Sequence, residues 1–147
     1  MARNSVAYEE DFFAWTMDQA RLLRSGELTL IDAENVAEEL ESMGNNNRRE
    51  LRSRLGVLLL HLLKWRYQPR RKSPSWVVTI RVQRDEIEHL LADSPSLRPV
   101  VGEVLAGVYV KARRNAADET RLKITNFPVE CPFTEAQIMA EDFLPEA

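Results

Sequence analysis

Apolar residues recur along most of this chain at the spacing of a helix. In about five stretches, leucine, valine, isoleucine and aromatic residues stand three or four positions apart, which places them on one face of a 3.6-residue repeat. No stretch alternates apolar and polar residues with the period of two that a half-buried strand shows. The pattern predicts an all-α protein.

Two helices are predicted in the first third of the chain. The apolar face of the first consists of Tyr8, Phe12, Trp15, Leu22 and Leu23. Ser25 and Gly26 end this helix, because glycine readily takes the left-handed conformation that follows a helix. The second helix starts near Thr29 or Asp32 and ends at Gly44 for the same reason.

The third predicted helix is the central one. Asn47 and Glu50 have the spacing of a capping box at its start. Its apolar seam consists of Leu51, Leu55, Leu58, Leu62 and Trp65. Residues 57–63 are apolar on almost every side, so we expect other helices to surround them. Pro69 ends this helix because proline lacks an amide donor.

Two more helices and a tail complete the predicted bundle. Ser73 followed by Pro74 starts the fourth helix, which runs through Ala92. Its seam consists of Trp76, Ile80, Ile87, Leu90 and Leu91. The fifth helix follows Pro95 and runs to about Thr120. We expect the C-terminal tail to pack on the bundle, with Thr134 and Gln137 capping a last short helix. The prediction is a single helical domain over residues 1–147.

Chain length and cysteine content indicate the number of domains and the cellular compartment that we expect. A chain of 147 residues suits one domain, and its single cysteine fits a reducing cytosol. Charged residues follow the N-terminus before any apolar stretch of signal-peptide length. The longest apolar run, at residues 57–60, is far shorter than the ~20 residues that span a bilayer. We therefore expect a cytoplasmic protein away from the membrane, with no cofactor evident.

Positive and negative charges are segregated along the chain. The net charge is −3, yet residues 52–84 carry nine Arg or Lys and no Asp or Glu, between acidic flanks. Such blocks more often neutralise each other across neighbouring helices, and they can also form complementary surfaces that steer partners or order a dimer. The candidate partner or anion surface consists of Lys64, Arg66, Arg70, Arg71 and Lys72. Its predicted complement, on the second helix, consists of Glu34, Glu38 and Glu41.

This charge pattern favours a protein-interaction or assembly module. The partner is an unknown protein or a second copy of the chain, as in a homodimer. A nucleic-acid binder that uses residues 64–84 is an alternative, because basic and aromatic residues are interleaved there. Two features argue against it. The sequence pI is about 5.5, and Trp65 and Trp76 lie on apolar seams, where we expect them to be core residues.

Several short blocks in this chain, taken together, match a known pattern. They include Tyr8-x-x-Asp11-Phe12-x-Ala14-Trp15, Glu38-Glu39-Leu40-Glu41-Ser42-Met43-Gly44, His61-Leu62-Leu63-Lys64-Trp65-x-Tyr67-Gln68-Pro69, and Phe127-Pro128-x-x-Cys131-Pro132-Phe133-Thr134. In this combination the chain resembles the DUF29 family over residues 8–144. The resemblance implies a small, helical, mostly bacterial protein with no assigned activity. The chain departs from the pattern at residues 45–47, where a more charged turn is usual.

A metal-dependent enzyme built on His61 is the main alternative function. His61 lies on the helix that we expect to be buried on most sides, and Asp11, Asp18 and Glu39 each flank an apolar stripe. These four residues form a candidate polar cluster. We favour a packing role in which the imidazole bonds a carboxylate or a backbone carbonyl, and we assign no metal site.

Other catalytic chemistry finds little support in the sequence. Glu86 and His89 have the Glu-x-x-His spacing of di-metal bundles, but the chain has one copy and its His89 is predicted to face solvent. Cys131 follows Glu130, an acid that disfavours a thiolate, so we expect it to serve packing. The glycines form no phosphate-binding loop.

Overall fold

The computed structural model describes residues 7–146 and contains five α-helices in that range, joined by short 3-10 turns. The helices are α1 (Phe12–Ser25), α2 (Ala33–Tyr67), α3 (Pro74–Asp93), α4 (Arg98–Thr120) and α5 (Glu135–Met139). No strand occurs among the described residues, which confirms the all-α prediction. The chain forms two compact units, and their boundary lies inside α2, between Asn46 and Asn47.

Both ends of α1 follow from local sequence. The carboxylate of Asp11 accepts a hydrogen bond from the Ala14 amide at 3.0 Å and caps the start of the helix. Gly26 ends the helix in the left-handed conformation, with a φ of 77°. The predicted stop at Ser25 and Gly26 is therefore confirmed, because glycine has no side chain to clash in that conformation.

The first unit has a small interior around Trp15. The indole Nε1 of Trp15 donates to Asp32 Oδ2 at 3.1 Å. Gln19, which is buried, accepts from the Asp32 amide at 2.8 Å. The ring of Tyr8 packs edge-on against Trp15, with 4.8 Å between centroids. These contacts join α1 to the start of α2.

Much of the apolar surface of this unit remains exposed. Its only buried residues in the described range are Trp15, Gln19 and Leu22. Its exposed large apolar residues are Phe12, Phe13, Met17, Leu23, Leu28, Leu30, Leu40 and Met43. This unit therefore buries little of its apolar surface.

The α2 helix corrects the sequence prediction of two helices separated near Gly44. It runs for 35 residues without a break, so neither the stop at Gly44 nor the capping box at Asn47 and Glu50 exists. Gly44 lacks the positive φ that a helix stop requires. The apolar seam also stays in phase across this point, from Leu40 through Met43 to Leu51. Extending a formed helix costs less than starting a new one.

The second unit holds the main core. Six leucines of α2 are buried there: Leu51, Leu55, Leu58, Leu59, Leu62 and Leu63. They pack with Ile80 and Ile87 of α3 and with Val101 and Val108 of α4. Pro74 begins α3 as predicted, although Ser73 bonds the Ser75 hydroxyl instead of capping the helix.

The C-terminal tail packs onto this core, as predicted. Phe127, Phe133 and Ile138 are buried in it. Thr134 and Gln137 form the predicted capping box at the start of α5. The phenol of Tyr109 donates to the Pro128 carbonyl at 2.6 Å, and burial raises the pKa of Tyr109 to about 12.

No helix in the described range combines the length and the apolar character needed to cross a membrane. The longest one, α2, carries charged side chains along much of its length.

Candidate functional site

The basic residues predicted from sequence lie around the turn between α2 and α3. A 3-10 turn at Pro69–Arg71 follows α2, and Ser73 then takes an extended conformation before Pro74 starts α3. This arrangement leaves Arg70, Arg71 and Lys72 exposed. We use the name cationic surface for Lys64, Trp65, Arg66, Arg70, Arg71, Lys72, Trp76 and Arg81.

Two lysines cover the two tryptophans of this surface. Lys72 Nζ lies 4.7 Å from the ring centroid of Trp65. Lys64 Nζ lies 4.8 Å from the centroid of Trp76 and 3.7 Å from Glu119 Oε1. Both distances are within the range in which a cation is attracted to an aromatic face.

The prediction that Trp65 and Trp76 are core residues is wrong. Trp65 and Trp76 are only partly buried, although both lie on apolar seams. A position on the apolar face of a helix fixes the direction in which a side chain points. Burial also requires another helix or loop to pack against that part of the face. Near the end of α2 and the start of α3, lysine side chains cover the rings, since the stem of lysine packs on apolar surface while its ammonium reaches water.

An apolar cavity opens beside the covered Trp65. Its volume is about 520 Å³, and Trp65, Pro74, Val77 and Val78 form its apolar lining. Lys72 and Arg81 line the same cavity. Val78 is 46% exposed, so the apolar wall is open to solvent. The cavity therefore combines an apolar lining with two cationic side chains.

Most of the positive charge here has no acidic neighbour. Lys64 pairs with Glu119, at 3.7 Å. Across residues 7–146, the other cations of the surface form no ion pair with a carboxylate. Unpaired cations around an apolar cavity attract an anionic group and orient it.

His61 bonds its own helix. Its Nδ1 lies 2.8 Å from the Val57 carbonyl oxygen, and since a carbonyl only accepts, Nδ1 carries the proton. Burial lowers the pKa of His61 from its usual value, the nearby Lys64 charge lowers it further, and the Val57 carbonyl and Glu119 act in the opposite direction. These effects favour a neutral imidazole at physiological pH.

The three acids proposed beside His61 lie in the first unit, each with a local partner. Asp11 caps α1, and Asp18 bonds Arg21 at 2.9 Å. Glu39 accepts a hydrogen bond from the Tyr8 hydroxyl, a bond that raises the pKa of Tyr8. Among residues 7–146 no group of three or more His, Cys, Asp or Glu is arranged to hold a metal ion.

The remaining candidate residues are placed as the sequence indicated. His89 is exposed, with 78% of its side chain accessible, and its Nε2 lies 3.7 Å from Asp93. Glu86 lies 3.7 Å from Arg54. Cys131 is partly buried, donates to the Phe133 carbonyl, and has a pKa raised by burial, which disfavours a thiolate.

Sequence reasoning missed Arg81 as a residue of the site. Arg81 lies in the acid-free stretch of residues 52–84, which was the available signal. Its place at the cavity depends on how α3 packs beside the end of α2, and that packing brings Arg81 near Trp65 and Lys72.

The model of the family described as "Domain of unknown function DUF29" matches residues 7–144 of the chain. No curated protein and no solved structure matches it. The resemblance noted in the sequence is confirmed over nearly the whole chain, and it brings no activity with it.

Proposed function

We propose that this chain, which belongs to the DUF29 family, is an interaction module whose cationic surface binds an acidic, amphipathic helix. The observation that carries the proposal is the cavity beside Trp65, where an exposed apolar wall meets Lys72 and Arg81. Burying apolar side chains provides most of the affinity of such a contact, and complementary charge provides orientation and a faster association rate.

An acidic helix fits this surface better than a nucleic acid does. Base stacking needs free aromatic faces, but Lys72 and Lys64 occupy faces of Trp65 and Trp76 at 4.7 and 4.8 Å. A phosphate backbone would also leave Val77 and Val78 uncovered. A helix with leucine or methionine on one side and glutamate beside it satisfies both the apolar wall and the cations.

The chain itself provides a helix of this kind. In the first part of α2, Glu34, Glu38 and Glu41 are exposed, and Leu40 and Met43 are 62% and 65% exposed. A second copy of the chain therefore meets the chemical requirement, and it is the partner that we propose. Because the acidic helix and the cationic surface are different, this contact is heterologous and links copies head to tail.

A synthetic peptide of residues 29–46 tests the proposal. We expect the labelled peptide to bind the full-length protein, with an affinity that falls as salt rises. Replacing Lys72 and Arg81 by glutamate should weaken binding about tenfold or more, since attraction becomes repulsion. Fluorescence anisotropy measures the dissociation constants, and Lys123→Glu, at an exposed lysine outside the cationic surface, is the matched control.

A second peptide, with Leu40→Ser and Met43→Ser, separates apolar docking from simple charge attraction. It should bind at least about tenfold more weakly, because two exposed apolar side chains are lost. Equal binding of the two peptides, or equal loss in the Lys123→Glu control, would contradict the proposed module. Tighter binding of single-stranded nucleic acid at the same cations would favour the alternative function instead.

A further inference from the structure

A second surface depression lies between α2 and α4, within the second unit. Residues 52–60 of α2 and 103–115 of α4 line it, and its volume is about 790 Å³. Val57, Leu60 and Val104 provide apolar lining. None of these residues belongs to the cationic surface, so an inference drawn from this groove does not depend on the proposed function.

Gly107 is an exposed glycine in the middle of α4 that no feature of its own chain explains. A Cβ built on Gly107 meets no atom within 4 Å, so no neighbouring helix requires its absence. Its φ is negative, so no turn requires it either. A glycine inside a helix costs about 1 kcal/mol relative to alanine. A bare backbone at this place instead permits another helix to approach closely.

Around Gly107, residues at equal distances form one pair of opposite charge and one pair of like apolar character. Glu103 and Lys111 stand four positions before and after it, on the same i±4 ridge, and Val104 and Val110 stand three positions before and after it. Glu103 is 62% exposed in its side chain, and Val110 is 62% exposed. Lys111 is also exposed.

We propose that this face of α4 docks a second copy of the chain, with the two α4 helices antiparallel and crossing at Gly107. A two-fold axis through Gly107 pairs residues of the two α4 helices. Each residue of one copy faces the residue of the other copy that lies the same number of positions from Gly107 in the opposite direction along the chain. Glu103 then faces Lys111 of the partner subunit, and Val104 faces the partner's Val110. Each contact occurs twice, so the surface is complementary to itself in both charge and apolar area.

The ion pair that Glu103 already makes does not compete with this arrangement. Arg48 Nη2 lies 3.7 Å from Glu103 Oε2, and both side chains are largely exposed. Such a surface pair contributes little stability. The carboxylate has a second oxygen that can accept from the partner subunit's Lys111. In the described range, Lys111 forms no ion pair within its own chain.

Charge reversal distinguishes this symmetric contact from other uses of the groove. In a Lys72→Glu with Arg81→Glu background, which removes the head-to-tail contact of the proposed function, light scattering after size exclusion should show a dimer of the full-length protein. Glu103→Lys or Lys111→Glu alone should raise its dissociation constant about tenfold or more, because both copies of the contact become repulsive. The double reversal restores opposite charges and should recover the dimer. Lys123→Glu, at an exposed lysine outside this face of α4, should leave the dimer intact.

A cross-link beside the axis is the second test. In a Cys131→Ser background, Val104→Cys with Val110→Cys places facing thiols of the two copies opposite each other and leaves Gly107 bare, and mild oxidation should yield a covalent dimer. Lys123→Cys in the same background should not. Circular dichroism establishes that each variant is folded. A monomer at all concentrations, a double reversal that stays monomeric while folded, or equal cross-linking of both cysteine variants would overturn the proposal.

Discussion

At the scale of single residues, the buried guanidinium of Arg84 holds the C-terminal tail in place. Arg84 is 4% exposed, and it donates to the carbonyls of Ile138, Gln137 and Glu141, at 2.8, 3.2 and 3.4 Å. Burial lowers the pKa of Arg84, but arginine stays charged in proteins. The carbonyls at the end of α5 carry partial negative charge, so they stabilise this cation and connect the tail to α3.

We predict that Arg84→Met destabilises the protein by about 2 kcal/mol, because buried carbonyls lose their donors. Urea unfolding measures the change, and limited proteolysis should cut the tail sooner. Arg81→Met on the same helix is the control. Arg81 is exposed and in no ion pair among the described residues, so it should change stability by less than about 0.5 kcal/mol. Equal losses in both variants would argue against this role for Arg84.

At the scale of elements, α2 shows how a helix continues through residues that usually end one. Gly44, Asn45 and Asn46 favour turns, yet they lie inside the 35 residues of α2. Ending a helix at glycine requires the left-handed conformation, which Gly26 takes and Gly44 does not. Helical segments on both sides, with apolar seams in phase, outweigh about 1 kcal/mol of unfavourable propensity at Gly44.

Replacing Gly44 or Gly26 by alanine should therefore change the free energy of unfolding in opposite directions. A Cβ at either position meets no atom within 4 Å, so the backbone conformation alone decides the outcome. Gly44→Ala should stabilise by roughly 0.5–1 kcal/mol, and Gly26→Ala, at a φ of 77°, should destabilise by about 1 kcal/mol or more. Thermal unfolding followed by circular dichroism compares them. A loss of stability in Gly44→Ala would mean that α2 is broken there.

At the scale of the whole molecule, the two units differ in how much they bury. All residues of the hydrophobic core cluster lie between Leu51 and Ile138. Among its described residues, the first unit buries Trp15, Gln19 and Leu22 and exposes eight large apolar residues. Local stability follows the number of buried apolar contacts, so most of the folding free energy lies in the second unit.

Fragments divided at this boundary should behave differently. Residues 47–147 should unfold cooperatively on heating, since they contain the complete core. Residues 1–46 should show weak helicity and no cooperative transition, because two short helices that bury few side chains do not offset their conformational entropy. Circular dichroism melts of both fragments test this. A disordered 47–147 fragment would show that the core needs the first unit to fold.

The candidate site was predictable in its charges and not in its shape. The acid-free stretch of residues 52–84 pointed to Lys64, Arg70, Arg71 and Lys72, because charge can be counted along a sequence. The cavity, the lysines over Trp65 and Trp76, and the part played by Arg81 were not predictable. They depend on how the start of α3 packs beside the end of α2.

The sequence by itself determined the all-α class and most helix ends, at Gly26, Pro69, Pro74 and Thr134. These features depend on interactions between residues a few positions apart, which a sequence displays directly. Only the tertiary structure decided that α2 is continuous and that Arg84 bonds Ile138, 54 positions away. It alone also left Gly107 uncovered. These features depend on whether elements that are distant in the chain pack against each other. Interactions between residues a few positions apart do not determine that packing.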